Sequence, residues 1–382
     1  MTDPSTQKIW TRDFSLIFLA QIVFSSAYCI LIPTLPIYLL NGGSTEVQIG
    51  FLIGTSGIAS LLVRPFVGRA LLRISEKSFM KVGALLFAIG SVGYLFAFSF
   101  WLLLMVRIIQ GVGSAFIFTA AVTWVANTSP GTRLGQSLAY YYLAFNIAFA
   151  LIPSFGMFLI NVYSFTFLFL ACTGLTLGYL CIAAKLGRRP VDSKTQEAVK
   201  KGPLVSREAL PMAVVAMISS MHWGALTAFF SLYALSHGVS NPGLFFSAFA
   251  VMIILGRALG GRILDLHNRD RVILPCLTTV IIAMIILAFS KTLPMFIVAA
   301  LVWGIGHAFV YPALAACTLE RTDSSPGPAM ATFSALDELG TGLGSIIAGI
   351  ILRLSGYPMM FFCLAFIGML NIVYFYFFVR KR

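Results

Sequence analysis

Charged side chains are scarce in this sequence. Only 10% of its 382 residues are Asp, Glu, Lys or Arg, where a soluble domain carries about 25%. Acids are scarcest, 13 against 26 Lys and Arg, and so little charge cannot cover a water-soluble protein of this length. There are four histidines and six cysteines. No CxxC occurs, and neither His222 nor His307 stands in an HxxxH or HxxE spacing, so no metal site is expected. The phosphate-cradling pattern GxxxxGK[ST] is missing, which excludes an ATPase built into the chain. Glycine and proline are too few for a fibrous or low-complexity protein. The polar N-terminus is short, and the first apolar run is long enough to span a bilayer. That run therefore reads as a span and not as a cleavable signal.

What is abundant is apolar length. Hydrophobic residues make up 59% and the mean hydropathy is +0.93. A spanning helix needs about 20 apolar residues, and uncharged stretches of that length or more recur along the chain. Two exceed one helix. The stretch 134–184 breaks near Asn161, and 209–256 breaks at the turn signals His237-Gly238 and Asn241-Pro242-Gly243. Twelve helices are expected, at 14–40, 48–72, 79–98, 101–126, 134–160, 164–186, 210–236, 242–266, 271–290, 293–318, 329–353 and 356–379. A β-barrel would instead show alternating segments of about 10 residues.

Lys and Arg in the short loops fix the expected orientation. Twenty-one fall on the side of the termini, two (Lys291 and Arg353) on the other, and Arg64, Arg107 and Arg257 lie inside spans. This places both termini in the cytoplasm and explains the +13 net charge without a nucleic acid. The one long polar internal stretch divides the chain into an N-terminal six-helix bundle, 1–187, a cytoplasmic linker, 188–209, and a C-terminal bundle, 210–382. The halves repeat. Arg64, Gly68, Arg69 and Leu71 fall on Arg257, Gly261, Arg262 and Leu264 at an offset of 193, and at the same offset Gly111, Gly113, Ala115 and Phe116 fall on Gly304, Gly306, Ala308 and Phe309. The fold class is an all-α polytopic membrane protein of twelve transmembrane helices in two six-helix bundles related by this repeat. Such a plan is expected of a secondary transporter working by alternating access, and not of an enzyme.

Three motifs carry a resemblance. Arg107-Ile-Ile-Gln110-Gly111-Val-Gly113-Ser-Ala115 on span 4 is similar to the RxxQGxGxA motif of the major facilitator superfamily (MFS). Gly261 to Arg271, with Asp265, Arg269 and Arg271, resembles its GxLxDRxGRR loop, and Ile152-Pro153-Ser-Phe-Gly156 is a degraded form of GPxxGG in its antiporters. The chain resembles the drug:proton antiporter-like and arabinose-efflux-like bacterial branch over its whole length. In the loop after span 2, Leu72 stands where the family usually has Asp. The resemblance implies a gating role for Asp265, Gly68, Gly261, Arg269 and Arg271. It also implies participation of Arg107 in proton coupling, with a structural role for Arg107 as the alternative. Spans 2 and 11 are neighbours in that fold, so Arg64 is expected to pair with Asp337 or Glu338.

Of the thirteen acids, only Asp337 and Glu338 lie within a span, about eight residues into span 11, or roughly 12 Å deep at 1.5 Å per residue. Charge in hydrocarbon is costly and reads as functional. Adjacent residues differ by about 100° around a helix, so the two face different ways. Structural pairing of both, or proton binding and release by one, are both open. Gln21, Tyr28, Gln110, Asn146, His222, Trp223, Trp303, His307 and Tyr311 are the candidates to line a substrate cavity, as flat apolar surfaces and hydroxyl, amide or imidazole groups in spans. The reading is proton-coupled efflux of a small organic or amphipathic solute, driven by the proton gradient with no bound cofactor. The expected partners are that small molecule and membrane lipid, for a monomer. The alternatives are an uncoupled facilitator or importer of a small polar solute, or a lipid-translocating protein on the same fold.

Overall fold

The computed structural model describes residues 9–130, 133–187, 206–260, 269–322 and 326–380. Every regular element among them is helical. Span 1 is two helices, Arg12–Cys29 and Leu31–Asn41, stepped at Ile30. Spans 2 to 6 are Glu46–Ala70, Glu76–Gly93, Phe100–Thr128, Leu134–Val162 and Phe165–Ala184. Spans 7 to 10 are Leu210–Ser236, Gly243–Gly260, Arg269–Phe289 and Leu293–Glu320. Spans 11 and 12 form one helical run, Pro326–Tyr374, ending in a π-turn, Phe375–Val379. The run is broken at Gly356, whose φ of +78° is open to glycine and disfavoured for L side chains.

Hydroxyl residues start several of these helices, as backbone N–H groups there need an acceptor. Thr11 accepts from Phe14 N at 3.1 Å, and Ser164 from Phe167 N at 3.2 Å. Thr45 and Gln48 bond reciprocally to each other's N–H and open span 2. Helices this long and apolar cannot bury every side chain against one another. Leu259 (85% exposed) and Leu354 (78%) stand outward, as lipid-facing residues do. Span 3 is the shortest of the first six, 18 residues, and Glu76, Lys77 and Lys81 occupy its first turns. It is held by span 4, where Gly83 and Gly113 let the two backbones meet: a Cβ on Gly83 would lie 2.7 Å from the Gly113 carbonyl oxygen.

That crossing recurs in the second half. A Cβ on Gly306 would lie 2.6 Å from the carbonyl oxygen of Cys276 and also strike Thr279, while one on Gly113 meets Leu86. Gly113 and Gly306, Gly83 and Cys276, and Leu86 and Thr279 are all related by the offset read from the sequence. The repeat is therefore one of packing as well as of residues.

Contacts divide the chain into two units. The first takes Met1–Leu31, Ala59–Ile152 and Leu159–Lys201. Its interior holds Phe24 of span 1 against Phe87, Phe118 and Tyr179, with ring centroids 5.1, 5.2 and 5.5 Å away. Lys77 Nζ donates to the Leu186 carbonyl at 2.6 Å and ties span 3 to the end of span 6. The second unit takes Ile32–Ile58, Pro153–Phe158 and Gly202–Arg382. The second half of span 1 and the first half of span 2 thus group with C-terminal residues, and for span 2 glycines provide the close approach. Gly50 and Gly54 on span 2 abut Ser345 and Gly342 on span 11, and Gly349 abuts the Glu46 carbonyl. On its other side span 11 meets span 7, Gly340 and Gly344 against Met217 and Met221, and Gly224 against Thr341. The glycines of span 11 are there for close helix approach. Most of the linker, 188–205, lies outside the described residues.

Candidate functional site

Two polar clusters lie inside the helices, one in each unit. In the first, Arg107 and Gln110 share a face of span 4, as residues three apart do. Arg107, 9% exposed, donates from Nη1 to Gln110 Oε1 at 3.2 Å. Tyr94 of span 3 donates its hydroxyl to the same oxygen at 2.7 Å. Gln110 Nε2 donates to Ser91 Oγ at 3.4 Å, and Ser91 donates to the Phe87 carbonyl at 2.9 Å. Gly90 makes room, since a Cβ there would lie 2.5 Å from Gln110 Cγ. These partners of the guanidinium chain are neutral. Phenylalanine at Tyr94 should remove one hydrogen bond of about 0.6–1.5 kcal/mol. The expected result is a thermal midpoint lower by about 1–2 °C, checked by differential scanning fluorimetry of purified protein.

Other sequence candidates of this unit fall apart from that network. Gln21 on span 1 accepts from the buried Tyr141 hydroxyl at 2.6 Å, a bond between spans 1 and 5. Tyr28 stands edge-on to Phe118 at 5.9 Å. Asn146 and Arg64 are half-buried on spans 5 and 2. Gly68 is exposed, and a Cβ there would meet nothing within 4 Å.

The second cluster is built by spans 7, 8, 10 and 11. Asp337 on span 11 accepts a short hydrogen bond from the Ser220 hydroxyl on span 7 through Oδ1. One turn along span 7, Trp223 stacks on Phe249 of span 8 at 5.8 Å and on His307 of span 10 at 6.3 Å. Phe249 and Trp303 stack at 4.1 Å. Tyr311, one turn past His307, meets Phe333 edge-on at 5.3 Å. Arg257 on span 8 donates from Nε to the carbonyl of Ala308 at 3.5 Å. Glu338 is half-buried on the adjacent face of span 11.

The structure thus brings Trp223, Trp303 and His307 together and places Tyr311 next to them. His222 is set elsewhere. It is 1% exposed, and its ring nitrogens lie 3.2 and 2.9 Å from the carbonyl oxygens of Ser219 and Leu364. It packs span 7 against span 12 and faces no open space. Gly261 and Asp265 lie outside the described residues, and Arg269 and Arg271 open the helix of span 9. Sequence reasoning missed Tyr94, Ser91, Ser220 and Phe249. No local pattern marks them, because each gains its role from a partner on another span, Gln110 for the first two, Asp337 for Ser220 and Trp303 for Phe249. Among the described residues, no three His, Cys, Asp or Glu side chains come together.

Helices long and apolar enough to cross a membrane, with polar clusters between them, mark a multi-pass membrane protein. A profile of the Major Facilitator Superfamily matches residues 17–263 and 212–382, and the chain belongs to that family. Relatives in it are transporters, not enzymes. The staphylopine export protein of Staphylococcus aureus is 22% identical over 380 residues, covering 94% of each chain. An uncharacterised MFS-type transporter of Burkholderia mallei is 25% identical over 386 residues, covering 95% of this chain and 91% of that one. Among solved structures, a mutant of the nucleoside transporter NupG superimposes with a TM-score of 0.80 at 13% identity, over 96% of this chain and 99% of that one. That likeness establishes the MFS fold.

Proposed function

We propose that this chain is a proton-coupled exporter of a small organic or amphipathic solute. It works by alternating access in a bacterial cytoplasmic membrane, with both termini cytoplasmic. Asp337 carries the reading. It is a carboxyl held within a span and bonded to Ser220. A hydroxyl can donate to a carboxylate and accept from a protonated acid, so Ser220 serves Asp337 in both states, as a proton carrier requires. Arg107 supplies a fixed cation in the first unit, oriented by Gln110. The export activity named for the S. aureus relative supports outward transport, and the loop charge of 21 Lys and Arg against two supports the orientation.

A second reading, an uncoupled facilitator or importer, draws on one observation. Spans 1 to 6 hold no Asp or Glu away from their ends, and Arg107 bonds the neutral Gln110. Everted vesicles carrying the protein separate the two readings. Under an imposed pH gradient, amphipathic solutes should accumulate in the vesicles, and a protonophore should abolish the accumulation. Uptake that equilibrates without accumulation and ignores the protonophore would replace export with facilitated diffusion.

A further inference from the structure

We infer that the aromatic wall of the second unit takes a planar organic anion whose carboxylate is held by Arg257. This rests on the transporter reading above and names the substrate class of the same site. The wall consists of Trp223, Phe249, Trp303 and His307, drawn from spans 7, 8 and 10. Its inner layer is Phe249 on Trp303, 4.1 Å apart at 29° and 1% exposed each. Trp223 and His307 lie over that layer and are half-buried, so part of their surface is left uncovered by the protein. Stacked rings of this kind recognise flat apolar bodies.

The wall is no requirement of the repeated fold. At the repeat offset, the N-terminal positions corresponding to Trp223, Phe249, Trp303 and His307 are Ile30, Ser56, Gln110 and Ser114. One bundle closes without a single ring at these places, so the rings of the other are free to serve a ligand.

Arg257 supplies the charge. It lies two turns beyond Phe249 on span 8 and is exposed there. A guanidinium turned to lipid is costly, and this one is instead drawn toward span 10 by the bond from Nε to Ala308, the residue after His307. That bond uses one of five N–H donors and leaves the planar fork that pairs bidentately with a carboxylate. A fixed cation beside a ring stack favours an aromatic carboxylate and disfavours an aromatic ammonium of the same shape.

The test uses three probes with one body: 1-naphthoate, 1-naphthalenemethanol and 1-naphthylmethylammonium. Each is titrated into the full chain in lipid nanodiscs, with tryptophan emission as the readout. Naphthoate is expected to bind at least about tenfold more tightly than the ammonium, the scale of one charge-assisted hydrogen bond. Arg257→Gln should bring that ratio near one with the alcohol unchanged, and Arg257→Lys should retain most of it. Trp223→Leu should weaken all three together. Equal or reversed affinities in the wild-type protein overturn the inference without any variant, and so does an undiminished ratio in Arg257→Gln. No gradient is imposed, so this failure leaves proton-coupled export standing. Gradient-independent uptake in vesicles would in turn leave the order of the probes standing.

Discussion

Leucine at Gly54 is expected to reduce transport at least about tenfold and to lower the thermal midpoint by several degrees, an overpacking cost of about 1–3 kcal/mol. A Cβ at this position would lie 2.6 Å from the Gly342 carbonyl oxygen and 2.6 Å from Ser345 Oγ. One of these obstacles is backbone, which cannot swing aside as the end of a side chain can. Gly50 and Gly349 continue the same seam toward the start of span 2, so a shift that makes room at Gly54 must displace their contacts too. Leucine at Gly174 is the control, because a Cβ there meets nothing within 4 Å and the residue is exposed. Solute uptake and scanning fluorimetry on the two variants check the contrast. Wild-type transport in Gly54→Leu would show that spans 2 and 11 need no close approach during the cycle.

Asparagine at Asp337 should leave the fold intact and abolish gradient-driven accumulation. Asparagine matches aspartate in volume, and its carbonyl oxygen can still accept from Ser220, so the contact between spans 7 and 11 survives. What is lost is the ability to hold and release a proton. Accumulation in everted vesicles should fall to the protonophore-treated level, while exchange of labelled for unlabelled solute at equal concentration on both sides continues. Asp337→Glu should retain part of the accumulation, because the acid remains and only its reach changes. Full accumulation by Asp337→Asn would make Asp337 an interhelical strut and move attention to Glu338.

Much of the fold was legible because hydrocarbon imposes one rule on every residue it touches. Uncharged runs mark spans wherever they are long, and the turn signals at His237-Gly238 and Asn241-Pro242-Gly243 correctly divided a 48-residue run. Span 3 was harder, since Lys77 and Lys81 shorten its apolar run, and Lys77 is satisfied by the distant Leu186 carbonyl. The site was legible where partners share a helix. Arg107 and Gln110 stand three apart and announce each other. Tyr94 comes from another span, and no local pattern marks it. Ser220 gains meaning from a carboxylate 117 residues away, and Phe249 is one of 34 phenylalanines. His222, by contrast, looked like a cavity group because a lone imidazole in a span carries no mark of the carbonyls that receive it.

The left-handed glycine at 356 bears on how the protein enters its membrane. Span 11 carries two acids, and each charge near a helix centre opposes insertion by about 2.5–3.5 kcal/mol. Span 12 runs from Tyr357 to Val379 without a charge, and its Leu, Ile, Phe and Val side chains each favour insertion by about 0.3–0.6 kcal/mol. With Gly356 the break between them, insertion of the two as one hairpin would set the apolar content of the last helix against the charges of the one before it. A flexible insert at the turn would separate the two events and leave span 11 to be inserted on its own apolar content.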